Sequence, residues 1–275
     1  MAHPEFVSRC LPKRLSDSHK GTYGTLLSVC GSYGMAGAAM FAARAASRSG
    51  VGLVKAVLPA SIYPMVAAAV PEAVFLPFED EKTLLLPAAD AVVVGCGLGQ
   101  TETALSLLKN ALGTADCPVV VDADGINLVA KHISIIQTIR TPRIFTPHPM
   151  ELARLLGVTA AEVQQNREAA AVTAAQKVGG IVVLKGHRTV VADQNGVLWV
   201  NTTGNAGMAT AGMGDVLAGM IGGFLAQGVS PADAACGGVY LHGLAGDKAA
   251  ARLSKRALLP TDVLEELGTL FAEWE

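Results

Sequence analysis

Short apolar runs separated by helix-like stretches constrain this chain more than any other feature. Residues 25–30, 52–58, 91–94, 118–121, 143–145, 181–184 and 197–200 form such runs. Several are apolar on consecutive residues instead of alternating, as strands covered on both faces must be. Candidate helices lie between and after them, at 37–49, 101–112, 150–156, 159–177, 215–226 and 231–253. Thr101 can cap the second of these, and Thr159 with Glu162 has the spacing of a capping box. Strands alternating with helices predict an α/β chain, three αβα layers around a mainly parallel central sheet with right-handed crossovers. Residues 185–201 break that rhythm and read as a hairpin turned by Gln194, Asn195 and Gly196. No linker, repeat or low-complexity stretch interrupts residues 1–275, which predicts one domain. A last helix over 261–275 puts Leu264, Leu267, Phe271 and Trp274 on or near one face, suited first to core packing and second to an oligomer contact.

The core of such a sheet has to be aliphatic, because hydrophobic residues make up 51 % of the chain and aromatics only 5 %. A net charge of −2 offers nucleic acid no basic face, so a small-molecule partner is expected. The cysteines at 10, 30, 96, 117 and 236 are scattered, with no C-x-x-C pair. That argues against a disulfide framework or a zinc site, and for a reducing, cytoplasmic setting. The first residues lack the basic-then-apolar order of a signal peptide. Mean hydropathy is high, at +0.41, yet no membrane span is expected. Residues 21–43 are uncharged but broken by glycines, and 215–226 supplies about eleven apolar residues where a span needs roughly twenty.

The stretch Asn201-Thr-Thr-Gly-Asn-Ala-Gly-Met-Ala-Thr-Ala-Gly-Met-Gly-Asp215 gathers small residues before an apolar helix. A helix N-terminus carries unpaired N–H groups and a partial positive charge, so it attracts phosphate. Gly212 and Gly214 let the backbone approach an anion closely. Asp215 would then stand beside phosphate, a costly place for a carboxylate unless it acts as a base or meets a metal. The simpler alternative makes Asp215 an ordinary N-cap on a glycine-rich turn.

In an open α/β sheet, ligands collect beyond the carboxyl ends of the strands, so four further strand exits matter. Residues 31–37 have the spacing G-x-x-G-x-x-G and not that of a dinucleotide fingerprint, and no P-loop occurs. Gly95-Cys-Gly-Leu-Gly99 permits another close backbone approach. Asp122-Ala-Asp124 either holds Mg²⁺ through water or caps the next helix. In Thr146-Pro-His-Pro-Met-Glu151 two prolines stiffen the backbone around His148, and Glu151 caps a helix or reaches a metal. Lys185, His187 and Arg188 cluster after another strand, suited to phosphate or to a solvated hairpin edge.

Taken in order, these segments resemble the ADP-dependent NAD(P)H-hydrate dehydratases, a branch of the ribokinase-like superfamily. The resemblance runs from Ser18-His-Lys-Gly-Thr-Tyr-Gly24 to the last helix. Its motifs are the loop 31–37, Asp122-Ala-Asp-Gly-Ile-Asn127, Thr146–Glu151, Val183-Leu-Lys-Gly186 and residues 201–219. One departure is Cys96, where the family often has proline; it is expected to loosen that loop slightly.

The resemblance implies ADP-dependent dehydration of the S-epimer of hydrated NADH or NADPH. Asp215 would deprotonate the ring hydroxyl, and the N–H groups of residues 211–214 would hold the transferring phosphoryl group. AMP and then phosphate would leave. Lys185, Gly186, His187, Arg188, Thr189 and Gly214 would line the nucleotide. Ala39, Gly97, His148 and Asp215 would contact the hydrated cofactor, and Glu151 would orient Mg²⁺ through water. A homo-oligomer, in the form of a tetramer, and a functional link to a separate epimerase are also implied, with no membrane or nucleic-acid partner. A small-molecule kinase on the same fold, acting on a thiazole or pyrimidine alcohol, and a nucleotide-binding regulator without turnover are the alternatives.

Overall fold

The apolar runs become strands β1 (Thr25–Val29), β2 (Leu53–Pro59), β3 (Val74–Phe78), β4 (Ala91–Val94), β5 (Val119–Val121), β6 (Arg143–Phe145), β7 (Ile181–Leu184), β8 (Val190–Asp193) and β9 (Gly196–Val200). They are seen in a computed structural model that describes residues 4–274. All nine join one sheet in the order β3-β2-β1-β4-β5-β6-β7-β8-β9. Pairing is parallel from β3 across to β7. The last two strands run antiparallel as a hairpin, with a register shift at Val191/Ala192.

Every residue of β4, β5 and β7 is buried, because helices cover both faces. Successive side chains of a strand point to opposite faces, and β4 shows the result. Ala91 and Val93 enter one core, while Val92 and Val94 enter the other. The first core is roofed by α1 (Glu5–Cys10), α2 (Ala36–Arg48), α3 (Tyr63–Ala69), and the later α9 (Met213–Ala226), α10 (Pro231–Leu253) and α11 (Pro260–Ala272). The second is closed by α4 (Glu102–Thr114), α5 (Asp124–Lys131), α6 (Pro149–Leu156), α7 (Ala160–Gln165) and α8 (Arg167–Val178).

Small residues let α2 and α9 touch backbone to backbone. A Cβ on Gly219 would sit 2.2 Å from the Ala42 carbonyl oxygen. Such close approach lets small residues fill a core poor in aromatics.

Several expectations need correction. Strand β3 was not anticipated: it is an edge strand with Pro77 inside it and little burial, a sheet position where proline is tolerated. The helix expected over 159–177 is two, because Asn166 adopts φ −145° and ψ 79° and caps α8 by accepting from Ala169 N. Only 190–200 of the expected hairpin pairs as strands. Helix α9 starts two residues before Asp215 with Gly212 at its N-cap, so Asp215 lies in the first turn and is no cap. Neither Asp122 nor Asp124 caps α5, whose N-cap is Ala123 with φ 48° and no side-chain bond. In α11, which ends at Ala272, Leu264 and Leu267 are buried; Phe271, and Trp274 beyond the helix, pack against the same core, and Glu275 lies outside the described residues. Among the described residues, no helix is long and apolar enough to cross a membrane.

Strand β1 is followed by β2 on one side, whereas β4 inserts on the other. The loops leaving β1 and β4 are latched: Gly31 N donates to Cys96 O at 2.8 Å, and Ser32 Oγ donates to Gly97 O at 2.8 Å. The carboxyl ends of β5, β6 and β7 lie beyond that latch, and there the sheet opens.

Candidate active site

A cleft of about 860 Å³ lies over these strand ends, bounded by the starts of α6 and α9, by α10, and by the loops 185–189 and 203–212. Its size suits a small-molecule ligand. Gly212 begins α9 in the left-handed region at φ +95°, and a Cβ there would lie 2.7 Å from the Phe41 ring. No side chain caps this helix start, and residues 212–215 face the cleft. The first-turn N–H groups are therefore placed to meet an anion.

Asp215 sits on that first turn. Burial, then the charge of Asp122, pushes its carboxyl up to about 6, against the opposing pull of Lys185 and a hydrogen bond from Cys96. Near neutral pH it is ionised yet basic enough to take a proton.

Asp122, at the exit of β5, is buried and accepts from Lys185 Nζ and Thr146 Oγ1, both at 2.6 Å. Burial pulls the Lys185 ammonium down, but Asp122 and Glu151 outweigh it and hold it above the ordinary lysine value. A Cβ on Gly214 would lie 3.1 Å from Lys185 Nζ, so the ammonium rests against the start of α9. Asp124 turns the other way and accepts from Gly99 N at 2.9 Å and Gln100 Nε2 at 3.1 Å. The two carboxylates engage different partners, and among the described residues Asp124 joins no group of ligand atoms close enough to share an ion directly.

The Pro-His-Pro segment builds a reciprocal cap on α6. His148 Nδ1 accepts from Met150 N at 3.1 Å and Glu151 N at 3.2 Å, while Glu151 Oε2 accepts from His148 N at 2.8 Å. An accepting Nδ1 places the ring proton on Nε2, which faces Glu151 Oε1 at 3.2 Å. Burial, then Lys185 and Arg154, lowers the imidazole pKa. Burial raises the Glu151 carboxyl, against the pull of Lys185.

Residues 185–189 form a short cradle. Lys185 N donates to Pro147 O at 2.8 Å, and Thr189 Oγ1 donates to Gly186 O at 3.0 Å. Gly186 at φ +137° and Arg188 at φ 54° give the loop its turn. Arg167, which no motif marked, pins it from behind by donating to Leu184 O at 3.0 Å and Lys185 O at 3.3 Å.

Of the residues expected at a site, His148, Glu151, Lys185, Gly186, His187, Arg188, Thr189, Gly214 and Asp215 all line this cleft. Ala39 and Gly97 are not on its wall. Ala39 is buried in the core through α2, and a Cβ on Gly97 would press on Ala38 at 2.6 Å. Gly97 belongs to the latched loop after β4, and Ala39 to the first turn of the helix that follows the other latched loop. Cys96 does more than alter a loop: its thiol lies 3.6 Å from Asp122 Oδ2, and one ligand atom each from Cys96, Asp122 and Asp215 falls within 4.8 Å of the others. Its hydrogen bond with Cys30, then burial, holds the Cys96 thiol well above its ordinary pKa, so it stays neutral. His242 on α10 also reaches the wall, with no local signal in the sequence to announce it.

A family profile described as NAD(P)H-hydrate dehydratase matches residues 26–268. The ADP-dependent (S)-NAD(P)H-hydrate dehydratase of Neisseria meningitidis is 47 % identical over 85 % of this chain and 80 % of its own. The bifunctional NAD(P)H-hydrate repair enzyme Nnr of Coxiella burnetii is 45 % identical over 94 % of this chain and 53 % of its own. This chain thus spans about half the length of the bifunctional relatives it matches. Among solved structures, the ADP/ATP-dependent NAD(P)H-hydrate dehydratase from Bacillus subtilis, co-crystallized with ATP/Mg²⁺, superposes with a TM-score of 0.87 at 34 % identity. That match covers 98 % of this chain and 96 % of the other.

Proposed function

The chain belongs to the NAD(P)H-hydrate dehydratase family, and on that premise we propose that its cleft uses ADP to dehydrate the S-epimer of hydrated NADH and NADPH. One observation carries the reading: a carboxylate raised to about 6 stands on the first turn of a helix whose N-terminus is uncapped and faces the cleft.

The chemistry follows from that placement. Asp215 takes the proton of the ring hydroxyl, whose oxygen then bonds to the β-phosphorus of ADP. The bond from that phosphorus to the bridging oxygen breaks, and AMP leaves with the electron pair. The first-turn amides of α9 and the Lys185 ammonium stabilise charge on the moving phosphoryl group. The new carbon–oxygen–phosphorus link then breaks at carbon. Phosphate departs with the bonding pair as the ring nitrogen donates its own, and loss of the neighbouring C5 proton restores the dihydronicotinamide.

Mg²⁺ takes oxygen ligands and keeps several waters, and the cleft fits it in that form. Glu151 has Oε2 committed to the α6 cap and Oε1 facing His148 Nε2 at 3.2 Å, so it would reach an ion through water by the second lone pair of Oε1. Bound there, Mg²⁺ would offset phosphate charge. The Cys96–Asp122–Asp215 group is unsuited to it, since a neutral thiol is a poor partner for a hard cation. A homo-oligomer, a cytoplasmic location and a separately supplied epimerase complete the reading.

Incubation with hydrated NADH and ADP tests it. Absorbance of the reduced nicotinamide should return as AMP and phosphate appear in equal amounts. Nucleotide consumed on an alcohol without that return would make the chain a kinase, and no consumption at all would make it a binder.

A further inference from the structure

The second oxygen of Asp122 is held by a thiol. Asp122 Oδ1 accepts from Lys185 Nζ and Thr146 Oγ1. Oδ2 is met by Cys96 Sγ at 3.6 Å, and by no other donor among the described residues. Both side chains are buried, and a buried carboxylate oxygen without a donor is costly. The backbone fixes where the sulfur stands. Cys96 lies between Gly95 at φ +118° and Gly97 at φ +58°. A Cβ on Gly95 would lie 2.1 Å from the Asp122 carbonyl oxygen, so the exit of β4 rides directly on that of β5. On the other side Gly31 N donates to Cys96 O at 2.8 Å. The thiol keeps its proton, and two atoms bearing lone pairs need a proton between them to approach this closely. The S–H therefore points at Oδ2, as a weak donor.

The same sulfur stands near the base. A carboxylate oxygen of Asp215 lies within 4.8 Å of Cys96 Sγ and of an Asp122 oxygen. Two acids at such a separation oppose each other's ionisation and tend to share a proton. Burial, then Asp122 and last Asp124, disfavour the Asp215 anion, whereas Lys185 from the β7 exit and Cys96 from the β4 exit favour it. Cys30, at the end of β1, faces the sulfur. His148 and Glu151 of α6 and His242 of α10 line the same cleft.

We propose that Cys96 is a positioning residue for the base: its thiol pins Asp122 beside Lys185 and keeps that carboxylate from pairing with Asp215. The inference rests on the reading of Asp215 as the base. Without the S–H, Oδ2 is free to turn towards Asp215 and share a proton with it. The base is then ionised only at higher pH.

Rates of the wild type, Cys96→Ala and Cys96→Ser with hydrated NADH and ADP, followed from pH 5 to 8, test it. Alanine and serine leave nearly the same space, so the difference between them reports the donor. In Cys96→Ala the limb near pH 6 should move up by about 0.5 to 1 unit. Cys96→Ser, whose hydroxyl is shorter but still donates, should stay within about 0.2 units of wild type. The loss of turnover in Cys96→Ala should then be roughly twofold to fivefold greater at pH 6 than at pH 8, whereas a merely structural role would lower both equally. A limb in Cys96→Ala within about 0.2 units of wild type, or the same displacement in Cys96→Ser, overturns the inference. Raman spectra decide the matter even if Cys96→Ala does not fold. The S–H stretch that disappears in Cys96→Ser should lie at the lowered frequency of a hydrogen-bonded thiol, and a band at the free-thiol frequency overturns the inference. A wild-type chain without turnover would instead remove the functional reading, and this inference with it.

Discussion

Lys185 Nζ lies 2.6 Å from Asp122 Oδ1, with the lysine side chain 17 % exposed and the aspartate 1 %. The pair joins the exits of β5 and β7 and leaves the ammonium against the start of α9. Asp122 thereby holds a positive charge where a phosphoryl group would pass, and it does so without facing the ligand as a free anion.

Removing the acid from this pair should be expensive. Asp122→Ala leaves a buried ammonium unpaired, and loss of about 3 kcal/mol is expected. Urea titration of the variant measures it; a stability within 0.5 kcal/mol of wild type, on the order of a neutral surface change, would show that the pair does not hold Lys185.

Asp215→Asn should still bind ADP yet lose roughly 10²- to 10⁴-fold in turnover. In the wild type the rate should fall as pH drops through about 6, because protonation removes the base. A rate flat from pH 5 to 8, or full turnover in the variant, would take Asp215 out of the proton transfer.

The same residue should make the free protein less stable than it could be. Its folded pKa of about 6 exceeds the ordinary 3.8, so ionisation disfavours the fold as pH rises through that window. Asp215→Asn should therefore raise the melting temperature at pH 8, and the gain should shrink towards pH 4. An equal gain at both values would mean that charge is not its cause.

Gly214→Ala should weaken ADP binding by roughly tenfold, about 1.4 kcal/mol, since the added methyl would lie 3.1 Å from Lys185 Nζ and crowd the phosphates. Calorimetry giving an unaltered affinity would contradict this.

Gly219→Ala tests the packing. Its methyl would lie 2.2 Å from the Ala42 carbonyl oxygen, forcing α2 and α9 apart at a cost of about 1 to 3 kcal/mol. An unchanged denaturation midpoint would mean that the two helices have slack.

The sequence made some of this architecture readable and hid the rest for physical reasons. Strands β4, β5 and β7 are apolar at every position because both faces are covered, and that pattern survives in the chain itself. Strand β3 escapes because Pro77 inside a short apolar run reads as a break, which only its edge position in the sheet makes tolerable. The break at Asn166 is a backbone event between two helix-forming stretches, so nothing in hydrophobic spacing marks it. His148, Lys185 and Asp215 stand next to prolines or glycines that advertise a constrained turn, and Glu151 follows two residues after Pro149. His242 and Arg167 lie inside or at the edge of long helices, and only the packing of α10 and α8 carries the first to the cleft wall and the second behind the 185–189 loop. Cys96 was legible as a loop change, whereas its contact with Asp122 needs three dimensions.

The cap on α6 has a consequence for proton traffic. With one imidazole nitrogen bound to the helix amides and the other turned to Glu151, His148 offers an incoming molecule only the flat side of its ring. It can be a stacking surface, but it has no free edge through which to relay a proton. In the proposed reaction the base is then Asp215 and not this histidine, and a one-limbed rate profile near pH 6 would be its kinetic signature.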